Sequence, residues 1–138
     1  MALELRLGER RLAQLLGEFG SATTHAAVAA VLDGAERPVR AIIAGWKDGV
    51  YEGEAFLDDD GHGAQDIHIR ARVTKQGSDL EVDLTDSHPQ VKGFINSSYA
   101  NTYSAAVVAL AYLIDPHIPK NDGAFRPVKL KLKEGTIV

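Results

Sequence analysis

Residues 67–84, IHIRARVTKQGSDLEVDL, decide the fold class. Ile67, Ile69, Ala71 and Val73 alternate with His68, Arg70 and Arg72, and Leu80, Val82 and Leu84 alternate with Glu81 and Asp83. A period of two places one set on a buried face and the other in water, as in a half-buried antiparallel strand. Gln76-Gly77 offers a two-residue turn between the runs. With that turn, Val73 faces Leu80, Ala71 faces Val82, Arg72 faces Glu81 and Arg70 faces Asp83, so apolar meets apolar and base meets acid. The charged face reads as solvated.

Upstream the period changes to that of a helix. Leu12, Leu15, Leu16 and Phe19 lie on one face of residues 9–19, opposite Glu9, Arg10, Arg11, Gln14 and Glu18. Gly20 is placed to end that helix and Ser21 to cap the next. Over 22–46 a single stripe holds Val28, Val31, Leu32, Ala35, Val39, Ile42, Ile43 and Trp46. Pro38 cannot donate to the carbonyl four residues earlier, which predicts a break or kink at 34–38. Lys47-Asp48-Gly49 closes this helical third, and a strand is expected at 50–57.

Beyond the hairpin, a polar segment at 85–97 leads to a helix over about 98–114, capped by Ser97 or Ser98 and stopped by Asp115-Pro116. It bears Val107, Leu110, Ala111 and Ile114. A last strand at 127–133 alternates Val128, Leu130 and Leu132 with Lys129, Lys131 and Lys133, a lysine row suited to a guarded sheet edge or a solvent face. The expected fold class is α+β: N-terminal helices, an antiparallel hairpin sheet, one further helix and a C-terminal strand. Residues 1–138 read as one domain or a fragment of one, helical over 9–46.

Bulk composition narrows the function. Hydrophobic residues at 45% and charged residues at 25% are globular values, and 138 residues can bury a core without staples. A net charge of −4 provides no field for nucleic acid or an anionic bilayer. The absence of cysteine excludes disulfides, thiolate metal sites and cysteine nucleophiles. Met1-Ala2-Leu3-Glu4-Leu5-Arg6 carries charge where a leader needs an apolar run, and no window is expected to reach the apolar run of roughly 18 residues that a membrane span requires. The expectation is a soluble, cytoplasmic protein with neither nucleic-acid nor membrane partners.

Chemistry-bearing clusters are few. Asp58-Asp59-Asp60-Gly61-His62-Gly63 gathers oxygen ligands, but Phe56 stands where a calcium loop ending at Gly61 needs its first acid, so a solvated turn is expected and no metal. Asp86-Ser87-His88 contains the residue types of a hydrolytic triad, yet adjacent residues do not line up that relay, and Pro89 extends the backbone at His88. Side-chain-to-backbone bonds in a loop are expected there. His25, His62, His68 and His117 form no pair at helical zinc spacing. No phosphate loop, dinucleotide fingerprint or nucleophile elbow is present.

Longer strings carry more information. Asp48-Gly49-Val50-Tyr51 with Leu57-Asp58-Asp59-Asp60-Gly61, then Asp83-Leu84-Thr85 with Gln90-Val91-Lys92-Gly93 and Ile95-Asn96, resemble successive segments of the hydantoinase B/oxoprolinase family. Asp115-Pro116, Ile118-Pro119, Asn121-Asp122-Gly123, Phe125-Arg126-Pro127 and Glu134-Gly135-Thr136 follow in the family's order. The resemblance covers 49–138, a core segment of an N-methylhydantoinase B-like subunit, and fits 9–46 only loosely. Family members are several times longer, with a His/Asp-rich catalytic region upstream, and Val138 reads as a cut.

The resemblance implies a module of a subunit that opens cyclic amides such as hydantoins or 5-oxoproline with ATP. Related complexes carboxylate ketones instead, and a non-catalytic interaction subunit is the remaining alternative. The implied partner is a hydantoinase A-type ATPase subunit, and the implied substrate a small cyclic amide. No cofactor is expected in this chain, with ATP and a divalent metal in the parent complex and the chain inactive alone. Should any residues touch substrate, the resemblance points to Gln90 and Asn96 for an amide edge, Gly93 for close backbone approach and Arg126 for an anion. The structural alternatives are a turn glycine at Gly93, an N-cap neighbour at Asn96 and an ion-pair partner at Arg126.

Overall fold

A computed structural model describes residues 2–138, with side-chain surroundings from residue 5 onward, so Met1–Glu4 of the leader reading lie outside those side chains. The order is α1 (Ala2–Ala44), β1 (Gly49–Asp59), β2 (Gln65–Gln76), β3 (Asp79–Asp83), α2 (Tyr99–Leu113), α3 (Asp122–Phe125) and β4 (Val128–Lys131). The strands form one mixed sheet in the order β1-β2-β3-β4, antiparallel until β4 joins β3 in parallel. A parallel neighbour needs a crossover, and α2 and α3 supply it. The α+β expectation holds.

Gly20 divides α1. Its φ of 78° and ψ of 158° lie in a region open to glycine alone, so the rod becomes two arms at the position where the sequence placed a helix end. The expected break at 34–38 does not occur: α1 runs through Pro38, and Gly20 is its one residue with non-helical dihedrals. Tertiary contacts outweigh the lost hydrogen bond there. Arg40, paired with Glu36 of its own helix at 2.6 Å, ties α1 to Asp79 of β3 at 3.0 Å, and Ala35, Val39 and Ile43 are buried to within 1%. These side chains join Leu80, Leu110, Ile114, Ile118, Ala124 and Val128 in the core.

Among the described residues, the first arm up to Phe19 buries no side chain. Leu12, Leu15 and Phe19 remain exposed, as do Val28 and Val31 just past the kink. The helix over Leu5–Ala44 is also long and apolar enough, by length and composition, to cross a membrane, with a mean hydropathy of 1.2 in its most apolar window. By composition this departs from the expectation that no window is apolar enough for a span; glycine, serine, threonine and histidine interrupt the apolar residues, so no unbroken run marks it.

The β2–β3 hairpin forms in a register two residues from the expected one. Val73 faces Val82, Arg72 faces Asp83, Thr74 faces Glu81 and Lys75 faces Leu80, so Gly77-Ser78, not Gln76-Gly77, makes the turn. Gly77 has a φ of 59° at the first turn position, where a II′ turn wants a glycine. A slip of two keeps every side chain on its face, which is why alternation alone did not separate the two registers. Lys75 supplies the missing term. It is 4% exposed, and its ammonium donates to the Trp46 carbonyl at 2.7 Å and to the Asp48 carboxylate, fastening the hairpin to the end of α1. Arg72 and Arg70 bond across to Glu52 and Glu54 of β1, at 2.9 and 2.7 Å.

Ser98 caps α2, accepting from the Asn101 N–H, and α2 buries Val107 and Leu110. The final strand is shorter than expected, and it does form a sheet edge with Lys129 and Lys131 exposed.

Candidate functional site

Three of the recognised strings meet at one end of the sheet. The β1–β2 turn leads into β2 there; β3 runs toward that end and stops opposite Arg72, and β4 runs parallel to β3 before the chain closes over residues 133–138. Backbone bonds stitch the segments together: His88 N–H to the His68 carbonyl at 2.8 Å, Gln90 N–H to Gly135 at 2.7 Å, Ser97 N–H to Ile137 at 2.7 Å and Ile137 N–H to His88 at 2.8 Å. A β-bridge pairs Pro89 with Thr136.

Asp60 is the hub of this joint, contrary to the solvated turn expected. It is 5% exposed; Oδ1 accepts the N–H groups of His62 and Ala64 at 2.8 and 2.9 Å, and Oδ2 accepts that of Gly93 at 3.3 Å. Burial raises the Asp60 pKa, but the three backbone donors outweigh it, so the carboxyl sits below its usual range. A depressed folded-state pKa means stability that is full above the unfolded value of about 4 and is lost as pH falls through the folded one. The stability gap between wild type and an Asp60→Asn variant should therefore shrink from about pH 5 to about pH 3 in urea unfolding. A gap independent of pH would show that the charge on Asp60 does not support the joint.

Asn96 locks the loop that Asp60 holds. Its Nδ2 donates to the carbonyls of Val91 and Gly93 at 2.8 and 2.9 Å, and its Oδ1 accepts the Val91 N–H at 3.0 Å. Gly93 makes a close approach to protein: a Cβ there would lie 2.4 Å from the Asp60 carbonyl oxygen. Gln90 is exposed beside it. Arg126 lies at the opposite end of the sheet, just before β4, bonded to Asp33 and Glu36 at 2.7 Å each. Three of the four candidates thus come together and the fourth does not. The Glu36 carboxyl is held below its usual range by hydrogen bonds from Arg126 and Arg40.

Asp86-Ser87-His88 forms no relay. Ser87 Oγ accepts the Arg70 N–H at 3.1 Å and donates to the Arg70 carbonyl, while His88 Nδ1 lies 2.7 Å from the Pro89 carbonyl. Sequence reasoning missed Asp60 and Lys75. The Asp60-Gly61-His62-Gly63-Ala64 run fits an aspartate that folds the following turn onto its own carboxylate, a signal that was available; burial of Lys75 had none. Beside the joint, a cleft of about 510 Å³ separates the sheet from α2, lined by Ile69, Val82, Leu84, Ala106 and Ile137.

The joint does not fit a divalent metal. The Asp60 carboxylate is committed to three amide donors and Asp59 Oδ1 to the Gly61 N–H, and among the described residues no three His, Cys, Asp or Glu side chains gather around one point.

The sequence profile of the hydantoinase B/oxoprolinase family matches residues 2–138, and the chain belongs to this family. The match takes in the helical third that the sequence strings fitted only loosely. The beta subunit of caprolactamase from Pseudomonas jessenii is 36% identical over 126 residues, 91% of this chain and 22% of its own length. The B component of a putative D-/L-hydantoinase from a Pseudomonas species is 32% identical, over 96% of this chain and 24% of its own length. The crystal structure of the ATP-dependent caprolactamase from Pseudomonas jessenii superposes with a TM-score of 0.86 at 35% identity, over 96% of this chain and 23% of that one. The chain thus spans under a quarter of the length of these relatives.

Proposed function

We propose that these residues form a module of the B-type subunit of an ATP-dependent cyclic-amide hydrolase of the hydantoinase/5-oxoprolinase type, serving it as scaffold and not as an independent catalyst. The likeness to the ATP-dependent caprolactamase over 96% of the chain carries this reading. The geometry supports the scaffold part, because the polar side chains of the joint bond to the chain's own backbone. In the parent enzyme a hydantoinase A-type ATPase subunit activates the amide carbonyl at the expense of ATP, and a preorganised polar site completes ring opening. ATP and any divalent metal are bound outside these residues, and the complex works in the cytoplasm.

The test is to combine the subunit carrying this chain with a hydantoinase A-type ATPase subunit, ATP and magnesium, and to assay ring opening of caprolactam, a hydantoin and 5-oxoproline. Ring-opened amino acid from the complex, with none from the 138-residue chain alone, is the expected result. Bicarbonate-dependent carboxylation of a ketone without ring opening would replace the hydrolase reading by a carboxylase. Activity of the isolated chain would remove the scaffold role.

A further inference from the structure

The two edges of the sheet are built differently. β4 is four residues long and presents Lys129 and Lys131, the usual defence against edge-to-edge pairing. β1 is eleven residues long, contains neither lysine nor proline, and keeps an unbroken antiparallel register with β2 from Gly49 to Leu57. Every residue from Val50 to Asp59 is exposed, Phe56 at 65%. Such an edge leaves a row of backbone N–H and C=O groups open to another strand.

We infer that β1 is the docking edge for a further β-strand, one carrying basic side chains on one face and apolar side chains on the other. Two observations set that chemistry. On the outer face, Glu52 and Glu54 bond to Arg72, Arg70 and His68 through Oε1, so among the described residues each Oε2 makes no protein hydrogen bond. On the inner face, Tyr51, Gly53, Ala55 and Leu57 continue the apolar side of Ile67, Ile69, Ala71 and Val73 without cover. An incoming lysine or arginine would add a second cation to each glutamate, and its alternate apolar residues would extend the inner face.

A second copy of this chain fits worse. Antiparallel pairing of two β1 strands centred on Gly53 sets Glu52 opposite Glu54 twice, and centring on Glu54 sets two glutamates face to face; like charges directly opposite destabilise a strand pair. The relatives' chains are more than four times longer than the part they share with this one, which leaves ample polypeptide to supply the strand. The inference is independent of the catalytic reading and would survive its failure.

Amide hydrogen exchange tests it, using as probe a synthetic peptide as long as β1 that alternates lysine and valine. At about ten times the peptide's Kd, the β1 amides not bonded to β2 should exchange about tenfold more slowly, with β2 unchanged. A peptide alternating glutamate and valine should give no protection. An Ala55→Lys variant, which places the usual guard on the edge, should lose the effect while its β2 amides stay protected. Equal protection by both peptides, protection by neither, retention of the effect in the variant, or protection that rises with protein concentration alone would each overturn the inference, the last in favour of a second copy.

Discussion

Replacing Gly123 by alanine is expected to lower the unfolding free energy by about 3 kcal/mol, the upper end of what overpacking usually costs. A Cβ at Gly123 would lie 2.0 Å from the Leu32 carbonyl oxygen and 2.6 Å from its carbonyl carbon, both backbone atoms of a helix that cannot move aside cheaply. The contact joins α3 to the second arm of α1 where Ala35 and Ala124 are fully packed. Displacing α3 also disturbs β4, because Pro127 follows directly and its carbonyl accepts the Leu80 N–H at 2.9 Å. Urea unfolding measures the effect, with Asp122→Ala, one residue away and exposed, as a near-neutral control. A loss at Gly123 no larger than that of the control would mean that α3 is free to shift. An Arg126→Ala change that cost more would make ion pairing, and not close packing, the main tie between α1 and α3.

Such packing changes what the string from Asn121 to Pro127 means. Asn121 caps α3 by accepting the Ala124 N–H, Gly123 admits the α1 backbone, and Arg126 bonds to Asp33 and Glu36. The string fixes a helix against a helix before the last strand begins. Its residues were visible in the sequence as a family resemblance, but their partners lie about ninety positions upstream, beyond the reach of any local pattern.

The same limit divides what the sequence revealed from what it hid. Strands, helices and the helix end at Gly20 follow from periods of two and 3.6 and from local backbone chemistry. The hairpin register escaped because shifts of two residues preserve the faces, and the deciding groups, Trp46 and Asp48, lie outside the hairpin. Continuity through Pro38 escaped because propensity is local, whereas Val39 and Ile43 belong to a core shared with residues of β3, α2, α3 and β4. Of the candidate site, Gly93 and Asn96 were named one by one from the resemblance, and nothing in the string showed that Asn96 bonds back to the Gly93 carbonyl. Asp60, which holds that loop from 33 positions away, was read as solvated because its Asp-rich neighbourhood looks like any exposed turn.

Gly93→Ala is the change that separates a joint from a substrate contact. A Cβ on Gly93 would meet the Asp60 carbonyl oxygen at 2.4 Å and the Asp60 Cβ at 3.0 Å, so the loop must lift away from the β1–β2 turn. Lifting it breaks the Gly93 N–H bond to Asp60 and strains the Asn96 lock that shares the loop. A stability loss of about 2 kcal/mol is expected from the overpacking and the hydrogen bond left unmade. The joint reading requires that loss in the chain without any ligand, together with faster amide exchange at His62, Ala64 and Val91. Were Gly93 instead a point of substrate approach, the variant would keep its stability and exchange pattern, and the defect would show as a raised KM in the assembled enzyme. The two outcomes are distinguishable because the first needs only this chain. With a carbonyl oxygen of the same polypeptide 2.4 Å from where a Cβ would stand, Gly93 has no room for a ligand while the loop stays docked, so any substrate contact there would have to follow its release.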